Sequence, residues 1–496
     1  MKKALTTILL ALSIVTSWGA GVNRPKLIVG IVVDQMRWDY LYYYYDQYGD
    51  NGLKRLLNKG FSCDNTMINY VPTVTAIGHS SIYTGSVPAF TGIAGNNFIL
   101  NGNNVTSVTD TTVHAIGADI SHKDGKCSPR NLIANTIGDQ LKLATDFKAK
   151  VFGVALKDRA AILPAGHAAD AAYWWDGAAG HFITSSYYQD KLPKWLDTFN
   201  GKNKTKPDYD IKTSTQGVSV TFKMAEELVK NERLGKHDVT DMIAVSISST
   251  DAIGHTYSTR GKENHDVYMQ LDKDLAHFLQ ILDREVGEGK YLLFLTADHG
   301  AVHNGNFLNA NKLPGGGFSS QPLKENFNKH MASIFGKEGD YIEHVMDCRI
   351  YLNRAFIKQN NLDFQKVKKE AIALLKEDPQ FAYVVDYEDI ANSCVPQFLR
   401  ERIINGYHRL RSGDIAVILQ GGHMHGTVKP DYKGASHGTW NPDDSHIPLI
   451  FLGWHVKQGS TSTPTFMSDI AATVCAMAHI QMPDCCIGNA IQEVWK

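Results

Sequence analysis

The chain has 496 residues, with 50 lysines and arginines against 51 aspartates and glutamates, and 43% of it is hydrophobic. This is an ordinary composition for a soluble globular protein. The balanced charge gives no evidence of a nucleic-acid-binding surface, and no block of like charge indicates a disordered tail.

The N-terminus has the three parts of a secretory signal peptide. A short positive segment comes first, an apolar segment follows as far as Trp18, and Ser17-Trp18-Gly19 forms a small-x-small cleavage site. The apolar segment is shorter than the roughly 20 residues that a membrane-spanning helix needs. We therefore expect residues 1–19 to be a signal peptide. The mature protein would begin at Ala20, be periplasmic or secreted, and have no membrane association.

Seven cysteines follow the signal peptide: Cys63, Cys127, Cys348, Cys394, Cys475, Cys485 and Cys486. An exported protein would oxidise some of them, and an odd number leaves at least one unpaired within the chain. We expect structural disulfides, a leftover thiol and no catalytic cysteine.

Short apolar runs alternate along the chain with stretches of helical character. The runs cover residues 26–33, 150–156, 242–247, 291–297 and 447–452. Most are rich in β-branched residues and do not alternate with polar ones, as expected of strands buried on both faces. Helical stretches include 54–57, 131–145 and 264–283. This order predicts an α/β fold with a mostly parallel central sheet and helices on both faces.

Two regions interrupt the alternation. Residues 170–235 are rich in aromatic side chains, lysine and aspartate, and residues 303–430 contain Gly315-Gly316-Gly317 and long polar connections. Neither contains an internal repeat. We interpret both as insertions or cap segments over the site, within a single domain of residues 20–496.

The potential metal ligands follow the predicted strands. In a parallel sheet, ligands bind beyond the carboxyl ends of the strands. Three carboxylates and three imidazoles are expected at that edge: Asp34, Asp251, His255, Asp298, His299 and His437. Any one of them alone is more often a helix cap or an ordinary hydrogen-bonded residue. Together, mixed histidine and carboxylate ligands suit zinc, and two such sets suit a two-metal site.

The motifs around these residues resemble those of the alkaline phosphatase superfamily. They are Asp34, Pro72-Thr-Val-Thr75-Ala-Ile-Gly-His-Ser-Ser-Ile-Tyr-Thr-Gly, Asp251-x3-His255, Asp298-His299-Gly300, Ser436-His437-Gly438 and Ser468-Asp-Ile-Ala-Ala-Thr. They occur in family order, and the similarity runs from about residue 25 to the C-terminus. The match is to the branch with a threonine nucleophile. That branch holds nucleotide pyrophosphatases/phosphodiesterases and a set of bacterial periplasmic alkaline phosphatases.

The resemblance implies a two-zinc alkaline phosphatase that acts on small-molecule phosphate esters. One zinc would be held by Asp251, His255 and His437, and the other by Asp34, Asp298, His299 and the Thr75 oxygen. Thr75 would attack phosphorus, form a phosphothreonine intermediate and release inorganic phosphate after hydrolysis. A metal is needed because a free threonine hydroxyl is essentially never ionised near neutral pH.

Thr75 is also expected to begin a helix, because a proline precedes it by three residues and small residues follow it. The backbone amides of that helix would add to anion binding. Asn96 matches the family asparagine that donates to a phosphate oxygen, although its neighbour Asn97 is an alternative. His79 lies four residues after Thr75, and we interpret it as structural because zinc replaces a general base in this family.

Lys157 and Arg159 follow the predicted strand 150–156. On a continuing extended segment, residues two apart point to the same side. A similar Lys-x-Arg pair faces the phosphate in the threonine-type alkaline phosphatases and is lacking in their diesterase relatives. The pair therefore predicts a preference for phosphomonoesters. Phosphodiesterase or nucleotide pyrophosphatase activity on the same metal core is the alternative, whereas a sulfatase would need a cysteine or serine at position 75.

Overall fold

The computed structural model describes residues 22–119, 125–207, 209–426 and 429–496. The predicted signal peptide, residues 1–19, lies outside the described residues. Within the described ranges, no helix has both the length and the apolar character that crossing a membrane requires.

A ten-stranded mixed sheet forms the centre of the described chain. In spatial order its strands are β20 (Gly459–Thr461), β2 (Phe61–Cys63), β19 (Leu449–Gly453), β11 (Tyr291–Thr296), β1 (Leu27–Val33), β10 (Asp241–Ile247), β7 (Val151–Ala155), β8 (Ala171–Asp176), β9 (His181–Ser185) and β6 (Ala115–Ile116). The neighbours from β11 to β8 are all parallel. The pairs β11–β19, β19–β2, β8–β9 and β9–β6 are antiparallel. The predicted α/β fold is confirmed, with a parallel centre, antiparallel pairs on both sides of it, and a parallel pair β2–β20 at one edge.

α-Helices pack against this sheet or against the smaller second sheet described below. They are α1 (Tyr40–Tyr43), α2 (Leu53–Lys59), α3 (Thr75–Thr84), α4 (Pro88–Thr91), α5 (Ile137–Ala144), α6 (Asp158–Ala165), α7 (Lys194–Asn203), α8 (Thr215–Asn231), α9 (Ser249–Tyr257), α10 (Lys262–Leu282), α11 (Gly305–Ala310), α12 (Ser320–Phe335), α13 (Arg354–Gln359), α14 (Phe364–Leu375), α15 (Gln397–Gly406), α16 (Pro442–Ser445) and α17 (Asp469–Met477). Every residue of β1, β10 and β11 is buried. Cover on both faces explains why these segments are continuous apolar runs.

The predicted helices have different limits in the structure. Residues 264–283 correspond closely to α10, but the stretch 131–145 becomes helical only at Ile137. The reason is a capping box, in which the Thr136 side chain accepts from Asp139 N and the Asp139 side chain accepts from Thr136 N. These two bonds satisfy amides that have no partner inside the helix, and so fix its first residue.

The two interrupting regions take different forms. Residues 170–235 add β8 and β9 to the main sheet, and their helix α8 packs on α10. Residues 303–430 contain a second sheet, in the order β13 (Ile342–Met346), β14 (Arg349–Leu352), β16 (Ile415–Leu419) and β15 (Phe381–Asp386). This sheet has its own hydrophobic core, which includes Phe327, Tyr341 and Ile350. The description of the chain as one domain with two insertions stays a prediction.

Smaller elements complete the described chain. They are the sheet of β18 (His446–Ile447), β3 (Thr66–Met67) and β21 (Thr465–Phe466), the hairpin of β4 (Asn97–Leu100) and β5 (Asn103–Thr106), and the pair β12 (Gly316–Phe318) and β17 (His423–His425). Short 3₁₀ turns lie at Tyr45–Gln47, Pro129–Asn131, Ile211–Thr213, Tyr387–Asn392 and Gln492–Val494, and a π turn at Asp283–Gly287.

The expectation of structural disulfides is wrong for most of the cysteines. Cys63, Cys348, Cys394, Cys475, Cys485 and Cys486 are free thiols. Their positions explain this in part, because Cys63 ends a strand of the main sheet whereas Cys348 lies in the second sheet's β13–β14 turn. Burial raises the pKa of the Cys63 thiol to about 12, which keeps it protonated and unreactive.

Candidate metal centre

The parallel strands bring charged side chains to one edge of the main sheet. Asp34 directly follows β1, and Asp298 lies two residues after β11. Lys157 lies two residues after β7, and Asp251 lies in the first turn of α9, which follows β10. Because parallel strands end at a common edge, these four side chains converge there. All four residues are buried.

The six predicted ligands form two groups. Asp251, His255 and His437 make one, and Asp34, Asp298 and His299 make the other. Within each group, one potential ligand atom from every residue lies within 4.8 Å of the others. The groups adjoin each other, since the rings of His299 and His437 stack with their centres 3.7 Å apart.

The three imidazoles share one orientation. Each places Nδ1 within hydrogen-bond distance of a backbone carbonyl oxygen: His255 with Ala435 at 2.9 Å, His299 with Gly300 at 3.0 Å and His437 with Thr73 at 2.7 Å. A carbonyl oxygen only accepts, so Nδ1 carries the proton and Nε2 presents a lone pair. His255 Nε2 lies 3.1 Å from Asp251 Oδ1, and His299 Nε2 lies 3.5 Å from both Asp34 Oδ1 and Asp298 Oδ2. This is the orientation that metal-binding histidines adopt.

Two carboxylate oxygens support the same interpretation. Asp34 Oδ1 and Asp298 Oδ2 are buried and have no hydrogen-bond partner among the described residues. A buried carboxylate oxygen without a partner is costly, and a divalent cation in contact with both would offset that cost. Imidazole nitrogen and carboxylate oxygen are ligands that zinc takes. The residues present therefore fit a metal in each group.

The pKa values show how strongly the carboxylates interact. Burial, together with repulsion from Asp251 and Asp298, raises the pKa of Asp34 to about 8. Burial also acts to raise the pKa of Asp251, but the nearby His255 and Lys157 outweigh it and hold that pKa well below its usual range. Burial and the neighbouring imidazoles lower the pKa of His437 well below its usual value, so His437 is neutral, as a metal ligand must be.

Lys157 lies between the two groups. Its Nζ is 2.6 Å from Asp34 Oδ2 and 2.6 Å from Asp251 Oδ2, and it is 3.4 Å from Thr75 Oγ1. Burial acts to lower the pKa of Lys157, but the attraction of Asp251 and Asp34 is larger in sum and raises it. The ammonium group is therefore charged and reaches both carboxylates and the Thr75 hydroxyl.

The expected extended segment through Lys157 and Arg159 is wrong. Lys157 is the N-cap residue of α6, and Arg159 lies in the first turn of that helix. An acidic residue, Asp158, also lies in this turn, where it is favourable because the helix N-terminus is positive. Arg159 Nη1 lies 3.5 Å from Asp158 Oδ1, and its Nε is buried without a hydrogen-bond partner among the described residues.

Thr75 is the first residue of α3, as the sequence predicts. It is buried, and its Oγ1 lies 3.5 Å from His299 Nε2. The helix can approach the strand end so closely because position 78 is glycine. A Cβ at Gly78 would lie 2.4 Å from the carbonyl oxygen of Asp298. The hydroxyl at the helix start thus faces the group that contains Asp298 and His299.

The side chain of Asn96 contacts the first turn of α3. Its Oδ1 accepts a hydrogen bond from Ala76 N at 2.9 Å, which leaves its NH₂ group to donate elsewhere. Asn97 begins β4 and is exposed. Of the two neighbouring asparagines, Asn96 is therefore the one that the structure places beside Thr75.

Two further residues contact the ligands. Gln35 donates from Nε2 to Asp251 Oδ1 at 2.5 Å and from its backbone amide to Asp298 Oδ1 at 3.2 Å, and so joins the two groups. No signal in the sequence indicated Gln35. His79, interpreted as structural, has Nδ1 2.9 Å from Thr75 O and 3.3 Å from Asp298 Oδ2. Its spacing of four from Thr75 places both on one helix face, which could have predicted this contact.

Comparison with known proteins identifies the family. Residues 28–440 match the family described as type I phosphodiesterase / nucleotide pyrophosphatase. The chain belongs to this family. The resemblance to the threonine-nucleophile branch of the alkaline phosphatase superfamily is confirmed.

Similar proteins include two bacterial relatives and one solved structure. A Myroides odoratus protein named calcium-transporting ATPase is 46% identical, over 95% of each chain. The alkaline phosphatase PafA of Elizabethkingia meningoseptica is 42% identical, also over 95% of each. A crystal structure of a PafA variant with a threonine, an asparagine, a lysine and an arginine substituted has a TM-score of 0.91 and 40% identity, and covers 96% of this chain and 100% of that one.

Proposed function

We propose that the protein is an alkaline phosphatase that hydrolyses phosphate monoesters and releases inorganic phosphate. The observation that carries the proposal is the position of Lys157, whose Nζ lies 3.4 Å from Thr75 Oγ1 and 2.6 Å from a carboxylate of each ligand group. A fixed cation beside a nucleophile and between two candidate metal sites suits a phosphate dianion. The relationship to PafA, an alkaline phosphatase, supports the same substrate class.

The positions substituted in the PafA variant support the site assignment. They are a threonine, an asparagine 21 residues later, and further on a lysine and an arginine two residues apart. Thr75 and Asn96 are also 21 apart, and Lys157 and Arg159 are two apart. We assign Thr75 as the nucleophile, and Asn96, Lys157 and Arg159 as the residues that bind the phosphoryl oxygens.

The metal ligands are assigned from the two groups. Asp251, His255 and His437 would bind one zinc, and Asp34, Asp298, His299 and Thr75 Oγ1 the other. Bound zinc supplies a Lewis acid that makes the threonine alkoxide accessible and stabilises charge on the leaving oxygen.

Side chains of the protein supply the nucleophile and bind the phosphoryl oxygens. The Thr75 oxygen attacks phosphorus in line, the bond from phosphorus to the ester oxygen breaks, and phosphothreonine forms. The NH₂ group of Asn96 donates to one phosphoryl oxygen. The Lys157 ammonium group and the Arg159 guanidinium neutralise the others, and preorganised charges of this kind stabilise a transition state without reorganising. The leaving oxygen takes a proton from water and departs as the alcohol. Water then attacks phosphorus, the bond from phosphorus to the Thr75 oxygen breaks, a proton returns to that oxygen, and inorganic phosphate leaves.

The test compares kcat/KM for an aryl phosphate, a bis-aryl phosphate and ATP. ATP is included because the Myroides odoratus relative is named as an ATPase. We expect the aryl phosphate to be preferred over the diester. Arg159→Ala should lower monoester kcat/KM by roughly 10²-fold, as loss of one preorganised contact does, and diester kcat/KM much less. Arg284→Ala, an exposed arginine with a 62% accessible side chain, is the control. A preference of the unmodified enzyme for diesters would make it a phosphodiesterase or nucleotide pyrophosphatase.

We also propose that the enzyme is periplasmic or secreted, which the predicted signal peptide supports. N-terminal sequencing of the exported protein should give Ala20 as the first residue. Retention of Met1 in a membrane fraction would contradict it.

A further inference from the structure

The second sheet reaches the phosphate site through the turn between β13 and β14. The turn residues Asp347 and Cys348 both have positive φ values, 46° and 60°. Arg349 follows them and is 1% exposed, although it carries a charge. It lies against the backbone of residues 94–95, which directly precede Asn96.

Arg349 uses its whole guanidinium group in this contact. Nη1 donates to Ala94 O, Nη2 lies 3.1 Å from Asp347 Oδ2, and Nε donates to Met346 O at 3.3 Å. A guanidinium group holds its donors in a rigid fork, so these bonds fix the Ala94 carbonyl relative to the β13–β14 turn. The contact is close: a Cβ at Gly95 would lie 2.4 Å from Arg349 Nη2 and 2.8 Å from Asp347 Oδ2.

A second buried arginine holds the other end of the same segment. Arg411 donates from Nη1 to Gly92 O and, at 2.8 Å, to Asn131 O. Its guanidinium group lies 5.0 Å from the centre of the Phe98 ring. Residues 92–98 are thus held at Gly92, Ala94 and Phe98 by arginines from the region 303–430, and Asn96 lies inside that segment.

The bond between Asn96 and α3 determines what this arrangement does. Because Asn96 Oδ1 accepts from Ala76 N, a displaced segment would either break that bond or move the start of the helix that carries Thr75. The NH₂ group of Asn96 has its direction set by the same bond. A small shift of Ala94 therefore changes the position of a proposed phosphate donor while leaving both metal-ligand groups in place.

We infer that Arg349, oriented by Asp347, is a positioning residue that sets the carboxamide of Asn96 for phosphate binding. The inference rests on the proposed role of Asn96. A purely structural role, in which Arg349 only attaches the second sheet to the main one, would affect stability but would have no specific dependence on Asn96.

The test is a double-mutant cycle on the full-length, zinc-loaded enzyme, with kcat/KM for an aryl phosphate as the readout. Asn96→Ala should cost roughly 10²-fold, on the scale of one lost transition-state donor. Arg349→Met should cost about tenfold or more, because small misplacements of positioned groups are expensive. In the Asn96→Ala background, Arg349→Met should cost less than about threefold, since contacts that act together are not additive.

Two further variants separate positioning from folding. Arg349→Lys keeps the charge but not the planar set of guanidinium donors. Its kcat/KM should therefore lie between that of the unmodified enzyme and that of Arg349→Met. Arg354→Gln, an arginine in the same region with a 62% accessible side chain, is the control and should leave kcat/KM unchanged. Zinc content and the thermal midpoint are measured for every variant.

The outcomes are distinguishable. Non-additive losses with two zinc ions retained would support the inference. Equal losses from Arg349→Met with and without Asn96 would overturn it and leave the proposed function intact. A neutral Asn96→Ala would overturn both the phosphate role of Asn96 and the inference that depends on it. If Arg349→Met does not fold, the cycle with Arg349→Lys decides.

Discussion

The ammonium group of Lys157 lies 2.6 Å from a carboxylate oxygen of Asp34, and both side chains are buried. The same ammonium group lies 2.6 Å from Asp251. One cation thus contacts a carboxylate from each candidate metal group. In protein without metal, Lys157 is a positive charge that offsets the ionised Asp251 and also contacts the Asp34 carboxyl group, whereas bound zinc ions would take over that task.

We predict that Lys157→Met destabilises the metal-free protein far more than the zinc-loaded protein. Removing one partner of a buried ion pair costs about 3–5 kcal/mol because the other charge stays buried. The measurement is the thermal midpoint with chelator and with zinc. Lys142→Met is the matched control, since Lys142 pairs with Asp170 at 2.7 Å and is also buried, but away from the ligand groups. Equal destabilisation by Lys157→Met in both conditions would contradict the prediction.

A second prediction concerns metal content. We expect about two zinc ions per chain, and a loss of one on substitution of a histidine or carboxylate ligand from either group. His437→Ala and Asp298→Ala test the two groups separately, with elemental analysis of dialysed protein as the measurement. His303→Ala is the control, because His303 is hydrogen-bonded to Thr259 and belongs to neither metal-ligand group. One zinc or none in fully active protein would rule out the two-metal mechanism.

The nucleophile is tested at Thr75. Thr75→Ala should lose several orders of magnitude in kcat because the attacking oxygen is removed. It should keep its fold and its zinc because Asp34, Asp298 and His299 remain as ligands. Thr75→Ser keeps that oxygen and should retain partial activity. Acid quenching during turnover should trap phosphate on Thr75 of the unmodified enzyme. Thr84→Ala, at the other end of α3, serves as the control. Near-normal turnover by Thr75→Ala would place the nucleophile elsewhere.

The sequence predicted the parts of the site that follow a strand directly. Asp34 and Asp298 ended apolar runs, and the parallel sheet converts such positions into neighbours in space. Thr75 was predicted to begin a helix, and it does. These features depend on local sequence and on one general property of parallel sheets.

Other features depended on contacts between distant segments, which carry no local signal. Gln35 joins Asp251 to Asp298, and Arg349 reaches Ala94 across 255 positions. The segment after Lys157 was expected to be extended, but an acidic residue in the first turn favours the helix α6 there. The cysteines illustrate the same limit, because pairing requires proximity in space that spacing along the chain does not determine.

The last prediction concerns Asp444, which supports the irregular segment before Thr75. Its Oδ2 accepts from the hydroxyl of Thr73 at 2.7 Å and from the amide of Thr439 at 2.7 Å, while its Oδ1 is buried without a partner among the described residues. Burial raises the pKa of Asp444 to about 7, against the opposing effect of the bonds from Thr439 and Thr73.

Asp444 should therefore make the folded protein less stable as pH rises. Its folded pKa of about 7 exceeds the unfolded value of 3.8, so the folded state binds the proton more tightly, and the stability from Asp444 is lost between about pH 4 and pH 7.

In Asp444→Asn the amide oxygen can accept both hydrogen bonds, and the side chain does not titrate. The free energy of unfolding of Asp444→Asn, relative to the unmodified protein, should thus rise by about 3 kcal/mol from pH 5 to pH 8, at 1.36 kcal/mol per pKa unit. Denaturant unfolding of the zinc-loaded proteins at each pH measures it, and effects common to both proteins, including the pH dependence of zinc binding, cancel in the difference. Asp238→Asn, at an exposed aspartate, should run parallel to the unmodified protein. A difference for Asp444→Asn that stayed constant or fell over this range would show that Asp444 is ionised throughout it.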